Sequence, residues 1–582
     1  APVHAEVTAR AAADPSRLAV RDGVRRVSYG ELDAWTDALA ARLQALGAGR
    51  GDLVGLCTAR GAGLAAGMIA ALKAGCAFMP LDPELPAKRL SVLVERAGAR
   101  CVLVDALGAE ACAHTALQTA SIGGSGETPP AGFEPVGARP GDLAYCIATS
   151  GSTGEPKLVM IEHGGLAALS AWHRRRFGLT HAARAAQIAG MSFDACVWEV
   201  FGALCAGAEL IVAPDEIRAD AALLETFLDE AGITHAFLPT PIGEGFLASD
   251  RPRPSKLSRV AIGGDRLSRR PRAQDRFEVV NCYGPTEASV VATAGTVSPE
   301  GERAPDLGAP IWGRTVRVID AKARRAPTGV AGELAIAGDG LARGYLGDPR
   351  GTADRFRPDP YGPPGGRLYL TGDRARRLSD GRLEFLGRID RQVQLRGLRV
   401  EPGEVEAVLN AHPNVRACVV DAIGEGAQAR LAAWVETARE DTEFTPELRR
   451  FAAERLPAHM TPAAIVSLAS LPLTANGKID RSALPEPASA AGAGAAPETP
   501  TQRTLAAIWS ELLGAGTPTL DDDFFALGGQ SLMAIELGRR VRAAFNVELR
   551  VRDIFENSAL GALAEAIDVR AAAQATLEEG EI

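Results

Sequence analysis

The chain has 582 residues, of which 46% are hydrophobic and 23% are charged, and its formal net charge is −9. At about 150 residues per domain, this length predicts three or four compact units. The composition is that of folded globular domains and argues against a disordered, fibrous or membrane class. Because the net charge is negative and no Lys/Arg-rich run with interleaved aromatic residues occurs, we expect no nucleic-acid partner.

Nine cysteines are scattered along the chain, with no Cys-x-x-Cys pair and no histidine at ligand spacing. This spacing predicts neither a zinc site nor a disulfide framework, so we expect the cysteines to be small buried apolar residues. The first residues contain Arg10, Asp14 and Arg17, where a secretory signal needs an unbroken apolar stretch. Lys73 interrupts the longest later apolar segment. We therefore expect a cytoplasmic protein without a membrane span.

From about Arg17 to Gly387, apolar β-like runs alternate with helical stretches. Residues 52–57 and 101–104 are predicted strands, and 63–74 is a predicted Ala-rich helix. Alternation of this kind indicates an α/β unit. A shorter region of mixed α and β pattern follows and predicts a smaller domain.

Residues 485–500 are rich in Pro, Ala and Gly and predict a flexible linker with a reach of roughly 20–25 Å. The following residues show helical periodicity, with one apolar stripe that predicts a small helical bundle. That stripe consists of Ala534, Leu537, Val541 and Phe545. The predicted domain boundaries are 1–389 for a large subdomain, 390–484 for a small subdomain, 485–500 for the linker, 501–570 for the bundle and 571–582 for a tail.

The stretch from Thr149 to Lys157 reads Thr-Ser-Gly-Ser-Thr-Gly-Glu-Pro-Lys and follows an apolar run. A loop of glycine and hydroxyl residues leaves backbone N–H groups open to phosphate oxygens, and Lys157 adds a cation. It is not a Walker A loop, because Pro156 separates the glycine from the lysine. An ordinary Gly/Ser turn is the alternative interpretation. The predicted phosphate-binding residues are Thr149, Ser150, Gly151, Ser152, Thr153, Gly154 and Lys157.

Five further motifs follow in order: Asn281-Cys-Tyr-Gly-Pro-Thr-Glu287, Tyr369-Leu-Thr-Gly-Asp373, Gly387-Arg-Ile-Asp-Arg-Gln392, Arg396-Gly-Leu-Arg399 and Asn476-Gly-Lys-Ile-Asp480. Near the start, residues 72–83 read Leu-Lys-Ala-Gly-Cys-Ala-Phe-Met-Pro-Leu-Asp-Pro. Each string alone could be a structural turn. Together, in this order, they resemble the adenylate-forming enzymes, specifically the adenylation domains of nonribosomal peptide synthetases. The resemblance extends over nearly the whole chain to Leu484.

This resemblance implies ATP-dependent activation of a carboxylate. The attack joins two anions, so the site needs cations and oriented donors. By resemblance, Lys478 bridges the substrate carboxylate and the α-phosphate region, Thr286 binds a phosphate, and Glu287 coordinates Mg²⁺. A solvated surface charge at Lys478 and a helix-capping pair at Thr286 and Glu287 are the alternative interpretations. Further nucleotide-binding residues implied are Asn281, Tyr283 against adenine, Gly284, Asp373 on the ribose hydroxyls and Arg388 on the ribose.

The substrate is predicted from Phe193-Asp-Ala-Cys-Val-Trp198. Asp194 resembles the anchor for the substrate ammonium in synthetases of α-amino acids, and a buried carboxylate needs an opposite charge. A purely structural Asp194 is the alternative. By the same resemblance, an uncharged pocket is lined by Phe193, Ala195, Trp198, Phe237, Ala261, Gly263, Cys282, Val290 and Val291. We expect valine, leucine or isoleucine, among which about 1–3 kcal/mol per methylene leaves the choice open.

The segment from Asp521 to Leu532 reads Asp-Asp-Asp-Phe-Phe-Ala-Leu-Gly-Gly-Gln-Ser-Leu. It resembles the site at which peptidyl carrier proteins, which are four-helix bundles, bear 4′-phosphopantetheine, with Ser531 as the attachment point. The Gly528-Gly529 turn would expose Ser531 at a helix start, where free N–H groups and the helix dipole favour a phosphodiester. A simple N-cap is the alternative.

The implied cycle has two half-reactions. The large subdomain forms the aminoacyl-AMP, and the small subdomain then swings about a hinge at Asp390 and brings the loop from Arg396 to Arg399 near the pantetheine thiol. We expect an initiating or stand-alone loading module. Its expected partners are the amino-acid substrate, a phosphopantetheinyl transferase, a downstream condensation or other carrier-dependent enzyme, and a small activator protein of the kind some such domains require.

Four residues depart from the family pattern: Gln394 replaces a usual Lys, Pro402 an aliphatic residue, His459 a Tyr, and Gln530 a His or Asp. They concern the thioester-forming half-reaction and the carrier surface. Two other functions stay open. One is an acyl-coenzyme A ligase with a helical C-terminal interaction module, which Asp194 and Ser531 disfavour. The other is a catalytically dead binding scaffold, which Lys478 and Glu287 disfavour.

Overall fold

The computed structural model describes residues 1–579 apart from 114, 117, 152–154, 219–220, 396–397, 425–428, 440–443, 474–478, 488–494, 514–515, 526, 528, 530, 550–552 and 555–556. The chain divides into two compact units, which we describe separately. The first unit comprises Ala1–Ser150, Pro156–Pro214 and Ala221–Arg399. The second comprises Gly151–Glu155, Asp215–Asp220 and Val400–Ile582.

The first unit alternates helices and strands. Its helices are α1 (Val3–Ala13), α2 (Tyr29–Ala45), α3 (Ala62–Lys73), α4 (Ala87–Ala97), α5 (Ala106–Cys112), α6 (His163–Phe177), α7 (Asp194–Leu204), α8 (Ala221–Glu230), α9 (Thr240–Ala248) and α10 (Pro349–Arg355). Its strands begin with β1 (Leu18–Asp22), β2 (Arg25–Ser28), β3 (Leu53–Cys57), β4 (Ala77–Leu81), β5 (Cys101–Val104), β6 (Thr119–Ser121), β7 (Leu143–Thr149), β8 (Lys157–Glu162), β9 (Arg184–Gln187), β10 (Glu209–Val212), β11 (His235–Pro239) and β12 (Arg259–Gly263).

The remaining strands up to the unit boundary are β13 (Glu278–Tyr283), β14 (Thr293–Thr296), β15 (Ala309–Pro310), β16 (Arg314–Ile319), β17 (Ala331–Gly338), β18 (Gly344–Tyr345), β19 (Phe356–Pro358), β20 (Arg367–Arg377), β21 (Leu383–Arg388), β22 (Val393–Leu395) and β23 (Leu398–Val400). The predicted strands at 52–57 and 101–104 and the predicted helix at 63–74 correspond to β3, β5 and α3. The α/β prediction for this part of the chain is confirmed.

Among the described residues, two large sheets dominate the first unit. One has nine strands in the order β15-β14-β13-β12-β11-β9-β10-β1-β2, and the other has seven in the order β18-β8-β7-β4-β3-β5-β6. Strands β11, β12 and β13 run parallel, with Phe237 opposite Ala261 and Gly263 opposite Cys282. A smaller sheet has the order β16-β17-β20-β19, with β21 paired to β20.

The helices that pack on the two large sheets are apolar on nearly every side. Every residue of α7 is buried, as is every residue of α3 except Gly63. A helix that is hydrophobic all round belongs inside a large core rather than on a surface. By contrast, α2 starts with a capping box in which Ser28 and Glu31 satisfy each other's backbone N–H groups. Sequence composition therefore decides which helices lie deep in the unit.

The second unit combines a small α+β part and a helical part. Its elements are α11 (Pro402–Asn410), β24 (Ala417–Ile423), β25 (Arg430–Glu436), α12 (Phe444–Ala453), β26 (Ala464–Leu468), α13 (Pro500–Leu513), α14 (Ser531–Phe545) and α15 (Leu560–Glu579). Strands β24 and β25 pair antiparallel, and β25 and β26 pair parallel. Pro402 is the first residue of α11, where a missing N–H does no harm. That departure from the family pattern is therefore compatible with the helix.

The helical part has its own core, centred on Trp509 and Phe524. In the predicted apolar stripe, Ala534, Leu537 and Val541 are fully buried, and Phe545 packs against the same core while partly exposed. The all-α prediction is confirmed for the described residues. All nine cysteines are buried and free, as predicted. In the described part of the chain, the helices are either too short or too polar to cross a bilayer.

Lys73 is fully buried at the end of α3. The sequence motif around it gave no sign of an ion pair. Its Nζ lies 2.7 Å from Asp33 Oδ1 and 2.6 Å from Asp37 Oδ1, both on α2. The two carboxylates retain 24% and 22% exposure, so they are hydrated while the lysine is not. Lys73 therefore joins α3 to α2, and its buried ammonium depends on the two carboxylates for a counter-charge.

We expect the double substitution Asp33→Asn/Asp37→Asn to lower the free energy of unfolding by about 3–5 kcal/mol, because it leaves the buried ammonium without a counter-charge. Lys73→Met should lower it by less, since the remaining carboxylates can be hydrated. Urea-dependent hydrogen exchange of peptides covering α3 measures both, with the exposed Glu95→Gln as the control. A larger loss in Lys73→Met than in the double variant would contradict this explanation.

Candidate active site

Four of the nine predicted pocket residues lie in the carboxyl-terminal halves of the parallel strands β11, β12 and β13. Gly263 is the last residue of β12, and Cys282 and Tyr283 are the last two of β13. Phe237 lies two residues before the end of β11 and pairs with Ala261 across the ladder. This edge of a parallel sheet is the usual place for a ligand crevice. The structure thus brings together residues that are up to 46 positions apart in sequence (237 to 283).

Two glycines allow the backbone of this edge to pack closely. A Cβ atom on Gly263 would lie 2.5 Å from the carbonyl oxygen of Cys282. One on Gly284 would lie 2.4 Å from the carbonyl oxygen of Val290. A side chain at Gly263 would force β12 and β13 apart, and one at Gly284 would clash with the loop that follows β13.

The predicted pocket forms one apolar cluster. Its buried members are Ala195, Trp198, Ala261, Cys282, Val290 and Val291, and Phe193 and Phe237 pack against them. The rings of Trp198 and Phe237 lie 5.3 Å apart between centroids. These side chains thus belong to the apolar core of the first unit, and their role as the wall of a substrate pocket stays a prediction.

Three aromatic residues of α6 pack around the Trp198 ring. No sequence motif predicted them. His173 lies 4.8 Å from the Trp198 ring, Trp172 lies 6.3 Å away and Phe177 lies 6.4 Å away. Burial lowers the pKa of His173 to about 3, so this ring is neutral at physiological pH. The indole position is thus fixed by aromatic packing without adding a charge to the pocket.

Asp194 is the first residue of α7 and is buried. Its Oδ2 atom has no hydrogen-bond partner, and the Thr286 hydroxyl favours the ionised form of the carboxyl group. Burial raises the pKa of Asp194 to about 6, Thr286 opposes this rise, and the charge of Glu287 adds to it. The hydroxyl of Tyr145, whose pKa is raised by burial and by the charge of Asp194, is also buried without a partner. An unpaired carboxylate in such surroundings calls for a cationic ligand.

Glu287 is also fully buried, but its carboxylate is well paired. Its Oε1 accepts a hydrogen bond from the Tyr345 hydroxyl at 2.8 Å, and its Oε2 accepts one from Arg399 Nη1 at 3.0 Å. Burial would raise the pKa of Glu287, yet the Arg399 charge and the Tyr345 hydroxyl hold it below its ordinary value. The sequence predicted Glu287 but neither of these partners.

The turn that carries Glu287 is strained. Thr286–Ala288 is a 3₁₀ turn, and Ser289 and Val290 follow with φ of 52° and 66°. A β-branched residue in this region costs on the order of 1–3 kcal/mol and is typical of functional sites. The Ser289 hydroxyl stabilises the turn by donating to the Gly340 carbonyl at 2.6 Å. Pro285 precedes the turn and makes no side-chain cap, so the capping alternative is wrong.

Three predicted nucleotide-binding residues form a chain of hydrogen bonds. Arg388 Nη1 donates to Asp373 Oδ1 at 2.7 Å, and the Tyr283 hydroxyl donates to Asp373 Oδ2. Burial and the charge of Asp373 raise the pKa of Tyr283 well above its ordinary value, so this hydroxyl stays a donor. A carboxylate can accept about four hydrogen bonds, so Asp373 keeps capacity for ribose hydroxyls. Asn281 instead donates to the Asp306 carbonyl at 2.8 Å, which is a structural contact.

The predicted hinge residue Asp390 is held by two arginines. Arg388 donates to both of its carboxylate oxygens, at 2.9 and 2.7 Å, and Arg355 Nη2 donates at 3.2 Å. Gly372 gives these groups room, since a Cβ there would lie 2.5 Å from Asp390 Oδ2. The sequence did not reveal Arg355 as a partner. The hinge role of Asp390 stays a prediction.

The predicted phosphate loop joins two antiparallel strands, with Thr149 on β7 opposite Lys157 on β8. The Lys157 ammonium lies 5.6 Å from the centre of the Tyr345 ring. Within the first unit, the Ser150 hydroxyl donates to the Arg399 carbonyl at 2.8 Å. Gly151 belongs to the second unit, where its N–H donates to Glu404 Oε2 at 2.9 Å. Ser152, Thr153 and Gly154 lie outside the described residues.

For two further predicted residues, Lys478 and Ser531, the structural information comes mainly from neighbouring residues. Lys478 lies outside the described residues, although the flanking Leu473 and Ile479 form an antiparallel bridge. Helix α14 begins at Ser531, as predicted. A Cβ on Gly529 would lie 2.4 Å from the Phe524 carbonyl oxygen, so the close approach before Ser531 requires glycine. A helix start behind such a turn fits a phosphodiester-linked group.

Residues 7–346 match the family model of the AMP-binding enzymes. The chain belongs to this family. Residues 404–478 match the AMP-binding enzyme C-terminal domain, and residues 503–567 match the phosphopantetheine attachment site. The resemblance to adenylation and carrier domains is thereby confirmed, and the C-terminal helices are a carrier domain rather than an unrelated interaction module.

Similar proteins include several peptide synthetases of bacteria and fungi. The chain is 39% identical to malpinin synthetase of Mortierella alpina over 95% of its own length, and it spans 7% of that protein. It is 40% identical to phosphinothricin tripeptide synthetase PhsB of Streptomyces viridochromogenes over 96% of its length, and it spans 49% of that protein. The chain therefore covers less than a tenth of the first of these relatives and about half of the second.

A solved structure also matches along nearly its whole length. It is a nonribosomal peptide synthetase protein containing adenylation and PCP domains, bound to a vinylsulfonamide inhibitor. The TM-score is 0.77 at 27% identity, and the match covers 98% of this chain and 97% of that one. The chain is therefore an amino-acid-adenylating ligase of the nonribosomal peptide synthetase type, with ATP and Mg²⁺ as its reactant and cofactor and a phosphopantetheine attachment site.

The pKa of Asp194 predicts a pH dependence of amino-acid binding. Below pH of about 6 the carboxyl group is protonated and cannot pair with an ammonium group, which stays charged over this range. The dissociation constant of the amino acid should therefore rise by about tenfold per pH unit below that value and be flat above it. Calorimetric titrations between pH 5 and 7.5 measure this, with ATP binding as the control. Asp194→Asn should bind weakly at every pH, and equal wild-type affinity at pH 5 and 7 would refute the assignment.

Proposed function

We propose that this chain activates a branched aliphatic α-amino acid, namely valine, leucine or isoleucine, and loads it onto its own carrier domain at Ser531. The observation that carries the proposal is a buried carboxylate with an unpartnered oxygen, Asp194, next to an uncharged apolar pocket. The carboxylate would bind the α-ammonium group of the substrate. The pocket would hold the substrate side chain.

The case for an α-amino acid rests on charge. Desolvation makes the ionised form of Asp194 less favourable than in water, as its raised pKa indicates. A substrate ammonium would stabilise the ionised form and satisfy Oδ2 at the same time. A fatty or aryl acid has no such group and would leave the carboxyl unsatisfied. This argument favours an amino acid over the substrates of an acyl-coenzyme A ligase.

The case for a branched aliphatic side chain rests on the pocket. Trp198 and Phe237 are in ring contact and close one side, and the α6 aromatic residues hold Trp198 in place. Ala261 and Gly263 are small and leave width beside them. Cys282 remains a neutral thiol, because burial raises its pKa to about 12. A compact side chain without charge or hydrogen-bonding groups is therefore preferred.

The proposed roles in adenylation come from the family resemblance, and the geometry of the described residues supports those of Asp194, Glu287, Tyr283, Asp373 and Arg388. Asp194 orients the amino acid through its ammonium, Thr286 lies beside it and binds a phosphate, and Lys478 brings the cation that joins carboxylate and α-phosphate. Glu287 would hold Mg²⁺, because its carboxylate is ionised and Mg²⁺ uses one or two carboxylates plus phosphate oxygens. Bound Mg²⁺ would neutralise phosphate charge. Tyr283, Asp373 and Arg388 position the nucleoside.

The phosphopantetheine group would be attached at Ser531 and would supply the thiol that accepts the aminoacyl group. Residues 485–500 would act as the linker between the small subdomain at 390–484 and the carrier at 501–570. A phosphopantetheinyl transferase, a downstream carrier-dependent enzyme and a small activator protein are the proposed partners. With the tether, the carrier is at roughly millimolar effective concentration, which favours self-loading.

Amino-acid-dependent pyrophosphate exchange over a panel of proteinogenic amino acids tests the proposed substrate. We expect the highest kcat/KM for valine, leucine or isoleucine. Asp194→Ala should reduce kcat/KM for that amino acid by the equivalent of about 3–5 kcal/mol, with ATP affinity largely kept. A top rank for a charged, aryl or fatty acid would disprove the proposal, and an equal loss of ATP affinity would make Asp194 structural.

The two half-reactions should be separable by substitution. Ser531→Ala removes only the hydroxyl that accepts phosphopantetheine, at a helix start where a lost cap costs about 1 kcal/mol, so the fold should survive. Pyrophosphate exchange should persist while the mass gain of the holo-carrier disappears. Lys478→Ala should lower exchange by about 10²–10³, as expected for one electrostatic stabiliser of the transition state.

The decisive control uses pre-made aminoacyl-AMP. The Lys478→Ala chain should still load its holo-carrier from this compound, because Lys478 acts in the first half-reaction only. If loading from the adenylate fails as severely as loading from ATP, the proposed division of roles is wrong. Loss of exchange in Ser531→Ala would contradict it as well.

A further inference from the structure

Within the second unit, one ion pair joins the small α+β part to the carrier domain. Arg449 lies on α12, and its Nη1 donates to the carboxylate Oδ2 of Asp523 in the carrier. The side chains are 15% and 13% exposed, so water screens the pair only partly. In the described part of the chain, Asp523 is the carboxylate that pairs with Arg449. The attraction between two charges that are partly shielded from water is stronger than that between two charges on the open surface.

The carrier itself fixes the direction of the Asp523 carboxylate. Oδ1 accepts a hydrogen bond from the Phe525 N–H at 2.9 Å, and Oδ2 accepts one from the Ser558 hydroxyl. The backbone next to Asp523 is also fixed, because the Phe524 N–H donates to the Ser558 carbonyl at 2.8 Å. An anion held in this way loses little side-chain entropy when a partner binds it.

Arg449 is positioned in a similar way on the other side. Its Nη2 donates to the Ala463 carbonyl at 3.2 Å, just before β26, and its Nε is buried. The guanidinium is therefore held between α12 and the start of β26 with one edge directed to Asp523. The neighbouring Arg450 lies on the same helix, but its side chain is exposed.

We propose that Arg449 is the docking residue through which the small subdomain holds its own carrier, by recognising the Asp523 carboxylate. This inference rests on the proposed self-loading function. Asp523 lies eight positions before Ser531, so a contact at this residue controls the part of the carrier that bears the attachment site. The occupant of the surface is thus the carrier of this chain, and carriers with a neutral or basic residue at this position should be poor acceptors.

The tether would mask a weakened contact, because it keeps the carrier at high effective concentration. The test therefore measures loading between two full-length chains. The donor chain carries Ser531→Ala and can only adenylate, and the acceptor chain is holo and carries Lys478→Ala. Transfer of labelled amino acid from donor to acceptor then depends on docking without the tether.

We expect Arg449→Glu in the donor to lower the kcat/KM for trans-loading by about tenfold or more, the range for a partly buried charge pair. Asp523→Arg in the acceptor should do the same. Combining the two variants should restore at least half of the lost rate on a logarithmic scale. The matched controls, Arg450→Glu in the donor and Asp521→Arg in the acceptor, change the same charges at exposed positions and should have little effect.

Two further measurements separate docking from folding and from the proposed function. Pyrophosphate exchange by the Arg449→Glu donor should equal that of the parent donor, because Arg449 has no role in adenylation. Asp523→Asn removes the charge but can still accept from the Phe525 N–H through Oδ1 and donate its amide to the Ser558 oxygen, so it should lower loading with normal phosphopantetheinylation. Unchanged trans-loading in Arg449→Glu, or no rescue by the swapped pair, would overturn the inference. Absent exchange in the parent donor would instead overturn the proposed function.

Discussion

Asp194 and Glu287 are buried in the same site, close enough for the charge of Glu287 to raise the pKa of Asp194. Their other surroundings differ. Arg399 and Tyr345 hold Glu287 ionised, whereas Asp194 keeps an unpartnered oxygen and has a pKa of about 6. Two nearby carboxyl groups with different pKa values can take different roles. In the proposed function, Glu287 would take the metal-binding role and Asp194 would pair with the substrate ammonium.

The loop after β13 joins these two roles mechanically. It carries Glu287 in a 3₁₀ turn and then the pocket residues Val290 and Val291, with Val290 in a strained backbone conformation. The loop is fixed at both ends, because the Ala292 N–H donates to the Tyr283 carbonyl at 2.8 Å and the Ser289 hydroxyl donates to Gly340. Because Glu287 shares this loop with Val290 and Val291, a shift of its carboxylate would also move the two valines. Binding of the nucleotide and of the amino acid would be coupled by this backbone.

The set of pocket residues came from the family resemblance, whereas local patterns in the sequence predicted the strands β3 and β5, the helix α3 and the apolar stripe of the carrier. They did not predict the ion pairs that connect distant segments. Lys73 and Asp33 are 40 positions apart, Arg399 and Glu287 are 112 apart, and Arg449 and Asp523 are 74 apart. A charged residue carries no local sign of its partner, because the pairing depends on how segments meet in the fold. The capping interpretation of Thr286 failed because Pro285 occupies the N-cap position of the turn.

The Arg399 pair bears on how Glu287 can bind Mg²⁺. Both oxygens of Glu287 already accept hydrogen bonds, so a metal must share them or replace Arg399, and two cations on one oxygen repel each other. Without any cation, a fully buried carboxyl would have its pKa raised by desolvation and would take up a proton. Arg399 prevents this by keeping the group ionised. Metal binding at Glu287 then requires exchange of one cation for another but no release of a proton from Glu287 itself.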